Sequence, residues 1–378
     1  MSLQLPIIHI TNFLAAQGVE MSISESQKLA AFYEEKFPVK TSLLGGLFVR
    51  FKKLLQEEKI TTGIVKCLKS DADWVDMPTY AAYWEDHKLF DALSNYYGNL
   101  YRGSYIFNYL MGALAVLLAL IPIGFEIEHE YGLIFSALEL ATILMILVIH
   151  KIGASPQKDT NLHTVAGIKL NRRWHEKWIE YRILAERFRY IEILYPNPIG
   201  INLLTQGEAR KNELGNWINA YYSARISLEN TECQTDLVTY KARLSLIMKG
   251  QGNYHHKSTL RYEHIHHRLH SFATWLFYGT LAACYMHFFW HNPILTLLAG
   301  VFPAVAGAMH GILASGEFSK LAQVSERIHI HISTLLERLE IANDTDQIRD
   351  IAIDFHNIVI REAMSWRAMF KDKNVPLA

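Results

Sequence analysis

Residues 105–150, YIFNYLMGALAVLLALIPIGFEIEHEYGLIFSALELATILMILVIH, decide the fold. They hold two apolar stretches, 105–125 and 131–150, parted only by Glu126-Ile127-Glu128-His129-Glu130. Each is close to the roughly 20 residues that a helix needs to cross a hydrocarbon core. A second pair of the same kind occupies 271–290 and 294–314, joined by His291-Asn292-Pro293. Inside the four stretches Glu139 is the only formal charge, and His287 and His310 can stay neutral. Backbone groups in lipid must be satisfied internally, so these stretches read as helices rather than strands. The expectation is an all-α integral membrane protein with four transmembrane helices as two hairpins.

The flanks give an orientation. Neither hairpin loop contains lysine or arginine, whereas Arg102, Lys151, Lys158, Lys169, Arg172, Arg173, Lys257, Arg261, Arg268, Lys320 and Arg327 border the other ends. The positive-inside bias then puts both termini and the central segment in the cytoplasm. Almost no mass is left outside, which argues against a receptor for an external ligand. The expected organisation is a helical arm (1–85), an approach helix with the first hairpin (86–153), a cytoplasmic helical domain (154–270), the second hairpin (271–314) and C-terminal helices (315–378). The soluble parts would form one cytoplasmic helical bundle.

Composition fits such a layout. Acidic and basic residues balance at 37 each, and half of the residues are apolar. No long basic run is present, so direct nucleic-acid binding is not expected. Cys67, Cys233 and Cys284 lack metal or disulfide spacing and suit a reducing compartment. Residues 1–11 have no basic region followed by an apolar one, so no cleavable signal peptide is expected.

Along the arm, Ser22 and Glu25 suggest a capping box for a helix over 24–37 ended by Pro38. Residues 43–55 are amphipathic but interrupted by Gly45-Gly46, and 66–78 read as a loop. From Tyr83 a helix is predicted through Asp91, Tyr97 and Arg102 directly into the first apolar stretch. In the middle segment Trp174, Trp178, Tyr181, Arg182, Ala185, Glu186 and Arg189 recur at three- and four-residue spacing, one stripe of a helix. Arg182 and Glu186 can pair across one turn. Pro196, Pro198 and Gly200 close that helix, and a second covers 212–228 with Trp217, Tyr221 and Arg225. A third, 235–249, is expected to break at Gly250-Gln251-Gly252, and another runs from Tyr254 into the third apolar stretch. Residues 316–341 and 344–370 read as helices, and 371–378 as a plain tail.

The series Trp178, Tyr181-Arg182, Ala185-Glu186 and Arg189, with Trp217-Ile218-Asn219-Ala220-Tyr221-Tyr222, Tyr254-His255 and the terminal Glu362, Trp366 and Arg367, resembles the SLATT class of bacterial membrane proteins. These are transmembrane effector modules associated with SMODS nucleotidyltransferases and SLOG sensor domains, and the resemblance runs from about Asp91 to the C-terminus. It implies a pore-forming or membrane-perturbing effector of a prokaryotic antiviral defence system, a homo-oligomer in the bacterial inner membrane. Residues 1–85 are too short for a SLOG-type sensor, so a separately encoded cytoplasmic sensor or defence protein is the implied partner. A membrane-anchored scaffold docking a soluble protein, and a small transporter, stay open as alternatives.

Glu139 is the carboxylate at membrane depth, where an ionisable group is by default a functional position. It would either face a pore in an oligomer or bond His310 or Asn108 within one chain. Gly300, Ala304, Gly307, Ala308 and Gly311 form a small-residue stripe that lets helices approach, either the third apolar helix or a second copy. Glu263, His266 and His270 share one helix face and could hold a metal, though histidines are at home just before a membrane span, and that is the preferred reading. No nucleophile elbow, zinc-binding HExxH or phosphate-binding loop is present, so neither an enzyme nor a cofactor is expected.

Overall fold

A computed structural model describes residues 5–35, 42–55, 78–153, 164–165, 168–169, 173–194, 215–227, 236–370 and 375–377. The described residues are helical apart from turns, short extended segments and one antiparallel pairing of two-residue strands, β1 (Thr164–Val165) with β2 (Ile168–Lys169). The helices are α1 (Ile7–Ala16), α2 (Ile23–Tyr33), α3 (Leu43–Leu55), α4 (Pro78–Gly124), α5 (His129–Gly153), α6 (Trp174–Arg189) and α7 (Ile191–Leu194). They continue with α8 (Trp217–Ser227), α9 (Leu237–Phe289), α10 (Pro293–Gly316), α11 (Phe318–Ile341) and α12 (Thr345–Phe370). The expected closing signals Pro38, Pro196, Pro198 and Gly200, and the loop over 66–77, lie outside the described residues.

Three helical runs among the described residues are long and apolar enough to cross a membrane: Tyr83–Gly124, His129–Gly153 and Pro293–Ile341. The end of α9 is not among them. Residues 271–290 contain no Asp, Glu, Lys or Arg, but much of their bulk is Trp275, Tyr278, Tyr285 and Trp290, which count for little on a hydropathy scale.

Helices α4 and α9 are continuous over 47 and 53 residues, or about 70 and 80 Å at 1.5 Å per residue. Both exceed a hydrocarbon core of about 30 Å, so each carries a long polar half beyond its apolar one. The run from Tyr83 into the first apolar stretch is therefore a single helix, as its sequence predicts. The continuity of α9 corrects the expected break at Gly250-Gln251-Gly252. Helix α11 lies alongside, His329 Nδ1 donates to the Gly252 carbonyl at 3.0 Å, and a methyl group on Gly252 would sit 3.5 Å from Ile332 Cγ2. Packing offsets the propensity cost of glycine, about 1 kcal/mol in a helix interior. Gly45-Gly46 likewise lies within α3, whose first turn is capped by Ser42 Oγ accepting from the Gly45 N–H at 3.0 Å.

The cap expected at Ser22 is present, its Oγ accepting from the Glu25 N–H at 3.2 Å. The Glu25 carboxylate turns elsewhere, to the Trp217 N–H at 3.1 Å and to Lys28 at 2.9 Å. The described part of the arm is built into the core: Leu5, Ile10, Leu14, Leu29 and Phe32 are buried. Phe32 stacks between Phe90 of α4 and Trp217 of α8, with centroids at 5.4 and 5.6 Å. A second core joins the polar half of α9 to α11 and α12 through Tyr240, Leu244, Met248, Ile332, Leu335, Ile351 and Phe355.

The apolar stretches pack as a row, α5 on α4, α4 on α10, and α10 on α9. At the far end of α10 the chain turns through Glu317, whose φ of 48° is left-handed. The single helix expected over 316–341 is thus a turn followed by α11. The plain tail expected at 371–378 is also corrected. Val375 is fully buried, its carbonyl accepts from His150 Nδ1 at 2.5 Å, and the Pro376 carbonyl accepts from Asn108 Nδ2 at 2.7 Å.

Candidate functional site

Helix α6 follows Arg173, which adopts a left-handed φ of 50°, with Glu176 in its first turn and Arg187 and Arg189 in its last. Acid at the N-terminus and base at the C-terminus both oppose the helix dipole. Of its residues, Trp174, His175, Trp178, Ile179, Tyr181, Ile183, Leu184, Ala185, Glu186 and Phe188 are buried, because α4, α8 and α12 cover it from several sides.

The stripe read from the sequence becomes three layers. Nearest the apolar region, Trp178 stacks on Tyr101 (5.7 Å) and takes Trp366 and Phe370 of α12 edge-on at 5.9 and 5.2 Å. The Arg102 guanidinium lies 4.5 Å over the same indole. Gly98 is required here, since a Cβ would fall 2.8 Å from Trp178 Cδ1 and Nε1.

In the next layer Tyr181 donates to Glu35 at 2.5 Å, Lys177 pairs with the same carboxylate at 2.9 Å, and Tyr97 also donates to it. Beside it Lys28 of α2 bridges Glu176 at 2.9 Å and Glu180 at 3.3 Å. Burial, with Glu176 nearby, pushes the Glu180 carboxyl up to about 7 in spite of Lys28.

The third layer is ionic. Glu186, 4% exposed, meets Arg182 at 2.5 Å and Arg189 at 3.3 Å, and both guanidiniums also face Asp91 of α4 at 3.5 and 3.6 Å. Burial alone would raise the Glu186 carboxyl; Arg182 and Arg189 outweigh it and hold it below the ordinary value. His87 donates from Nδ1 to the Ala185 carbonyl at 2.9 Å. Burial, then Arg189, lowers its pKa to about 4, so the ring is neutral at pH 7. From the other side fully buried His255 of α9 stands 3.4 Å from Glu362 of α12, and Glu362 adds to the field that keeps Arg182 charged. The stripe, Asp91, Tyr254-His255 and the terminal Glu362 and Trp366 therefore meet at one junction of α4, α6, α9 and α12. The Glu186 carboxylate at its centre is buried and paired on both sides, while Arg182, Arg189 and Asp91 around it are partly exposed.

The other residues singled out by sequence are scattered. Glu139 is half-exposed on α5 and has no hydrogen bond or ion pair among the described residues. The expected bond to His310 or Asn108 is not made, because Asn108 is turned to Pro376 and His310 is exposed with its ring 5.9 Å from His270. The small-residue stripe divides. A Cβ on Gly300 would collide with Leu120, and one on Gly311 would lie 2.6 Å from Tyr109 Cζ, so both glycines press on α4 rather than on α9. Ala304 is half-buried in the same core, whereas Gly307 is exposed with nothing within 4 Å of a Cβ. The rings of His266 and His270 are 6.1 Å apart. Glu263 is exposed, and no three of His, Cys, Asp and Glu come together to hold a metal among the described residues.

Sequence reasoning missed Glu35 and His87 as partners of the stripe and Lys28 as the partner of Glu176 and Glu180 beside it, because each lies more than 80 residues from its contact and carries no local spacing signal. No family model, curated protein or solved structure matches this chain.

Proposed function

We propose that the chain is a SLATT-like membrane effector of bacterial antiviral defence. In this reading it crosses the inner membrane four times with both termini cytoplasmic. A cytoplasmic signal or partner triggers it to oligomerise and form a pore or perturb the bilayer. The observation that carries the reading is the junction around Trp178–Arg189. It locks α6 and α12 onto α4 and α9, and those two helices run unbroken into the apolar hairpins. Repacking the junction would turn or tilt both rods at once.

Three further observations support it. On α9, Trp275 is 73% and Phe288 78% exposed, and Phe277, Leu281 and Tyr285 are uncovered with them. Such a surface is costly in water and suited to lipid, which favours a fourth crossing despite its modest hydropathy. Four helices in a row enclose no path within one chain, so conduction would need several copies. Glu139, unpaired on α5, then has a natural place against a neighbouring copy or in a wet pore, since an isolated carboxylate at that depth costs several kcal/mol.

The test is single-channel and dye-leakage recording from the purified protein in liposomes, beside Glu139→Ala and Gly307→Leu. Conductance altered by either substitution supports an oligomeric effector. A folded, inserted protein that stays silent, neither harming growth when induced nor protecting against phage, sinks the effector reading in favour of a membrane scaffold.

A further inference from the structure

A cavity of about 140 Å³ lies beside Trp178, between α3, α4, α9 and the turn that joins α10 to α11. A single water needs roughly 10–15 Å³ of such space, so this one has room for a chemical group. Its charged lining is cationic: Lys52 from α3, Arg102 from α4 and Arg261 from α9, with no carboxylate among the described lining residues. None of the three makes an ion pair among the described residues, and Arg261 Nε is buried with no hydrogen-bond partner. Tyr101, 1% exposed, also lines the cavity, and its buried hydroxyl has no partner among the described residues. Half-buried cations converging without counter-charge repel one another. Burial, then Arg261 and Arg102, lowers the Lys52 pKa to about 8. Three cations and an orphan hydroxyl donor around one void describe a site whose missing component is an anion.

We infer that this cavity binds a phosphate group, held by Lys52, Arg102 and Arg261, with the rest of the ligand against the aromatic wall of Phe48, Trp178 and Tyr262. The position bears on the source of the phosphate. Arg102 lies three residues before the first apolar stretch, and Gly316 closes the α10 stretch. If the hairpins span a bilayer, which rests on the membrane reading above, the cavity sits at headgroup level, where basic pockets between helices take lipid phosphates. A soluble phosphate compound offers the same chemistry from the cytoplasm. Occupancy would be felt at the junction, because Arg102 lies over Trp178 and Asn95, which also lines the cavity, donates to Asp91 at 2.8 Å.

The experiment uses the full chain, with Lys52→Gln, Arg261→Gln and their double variant, and Lys88→Gln as an exposed charge-matched control. One arm counts phosphatidylglycerol and phosphatidylcholine retained by the protein in native mass spectrometry. The other titrates inorganic phosphate and pyrophosphate in detergent, followed by tryptophan fluorescence. Retained phospholipid that the double variant loses assigns a lipid headgroup; soluble phosphate binding that it loses assigns a free phosphate. In either case affinity should fall about tenfold for each cation removed, as expected for loss of a charge-assisted bond, and Lys88→Gln should bind like the parent. Without ligand, the double variant should melt no lower than the parent, because it relieves repulsion. Equal binding by parent and double variant, absence of binding in both arms, or a marked loss of stability in the ligand-free double variant would each overturn the assignment. The soluble arm does not depend on membrane insertion, so its outcome is separable from that of the effector reading.

Discussion

Gly307 and Gly311 are one turn apart on α10 and chemically identical, yet their surroundings predict opposite responses to leucine. At Gly311 a Cβ would lie 2.5 and 2.6 Å from Tyr109 Cδ1 and Cζ. The ring cannot swing aside freely, since its hydroxyl is 3.2 Å from Ser315 Oγ on the same α10. Overpacking of this kind costs about 1–3 kcal/mol for added methylenes in a tight contact, and leucine adds four carbons, so Gly311→Leu should lose about 3 kcal/mol. At Gly307 nothing lies within 4 Å. Leucine there gains the helix propensity that glycine lacks, so the isolated chain should change by no more than about 1 kcal/mol, in the stabilising direction. Equilibrium unfolding in mixed detergent micelles, at a concentration where the protein is monomeric, measures both. Equal losses at the two positions would refute the placement of α10 against α4.

Other perturbations address the junction and the tail. Glu186→Gln should cost about 2 kcal/mol, below the roughly 3–5 kcal/mol typical of a broken buried pair. The reason is that Arg182 and Arg189 are 27% and 24% exposed and still face Asp91; an unchanged melting temperature would remove Glu186 from the hub. His87 and His356 are each held near 4, by burial and then by Arg189 and Arg187 respectively. Their folded pKa values lie below the unfolded one, so stability is full above pH 6.5 and falls as pH drops toward 4. His87 alone accounts for up to about 3 kcal/mol at 1.36 kcal/mol per unit, and melting curves of His87→Gln should be flatter across that window. Removing residues 375–378 deprives Asn108 and His150 of their acceptors and should cost about 2–4 kcal/mol, whereas Pro376→Ala, which keeps the carbonyl, should be nearly silent in the same unfolding assay.

What could be read from the chain was what neighbours within a helix decide. The Ser22 cap, the unbroken entry of α4 into its apolar half and the Arg182–Glu186 pair depend on residues three or four apart, and the structure has all of them. The break at Gly250-Gln251-Gly252 was misread because glycine propensity is local while its compensation by α11 is not. The third apolar stretch, at the end of α9, sits at the margin for a different reason, as tryptophan and tyrosine are large and apolar in bulk yet rank as polar. Remote pairings left no trace: Glu35 with Lys177 and Tyr181, the division of the glycine stripe, and three cations from three helices around one void follow from which helices are adjacent, and one sequence does not record that.

The C-terminal segment is gripped through its backbone. His150 and Asn108 bond to the carbonyls of Val375 and Pro376, and of the described residues 375–377 only Val375 has its side chain enclosed, against Gly153 with a Cβ clearance of 2.8 Å. Recognition of this kind measures length and path more than spelling. Substitutions at Pro376 and Leu377 should be tolerated so long as the chain reaches the cleft between α4 and α5, whereas the enclosed Val375 leaves no room for a larger side chain.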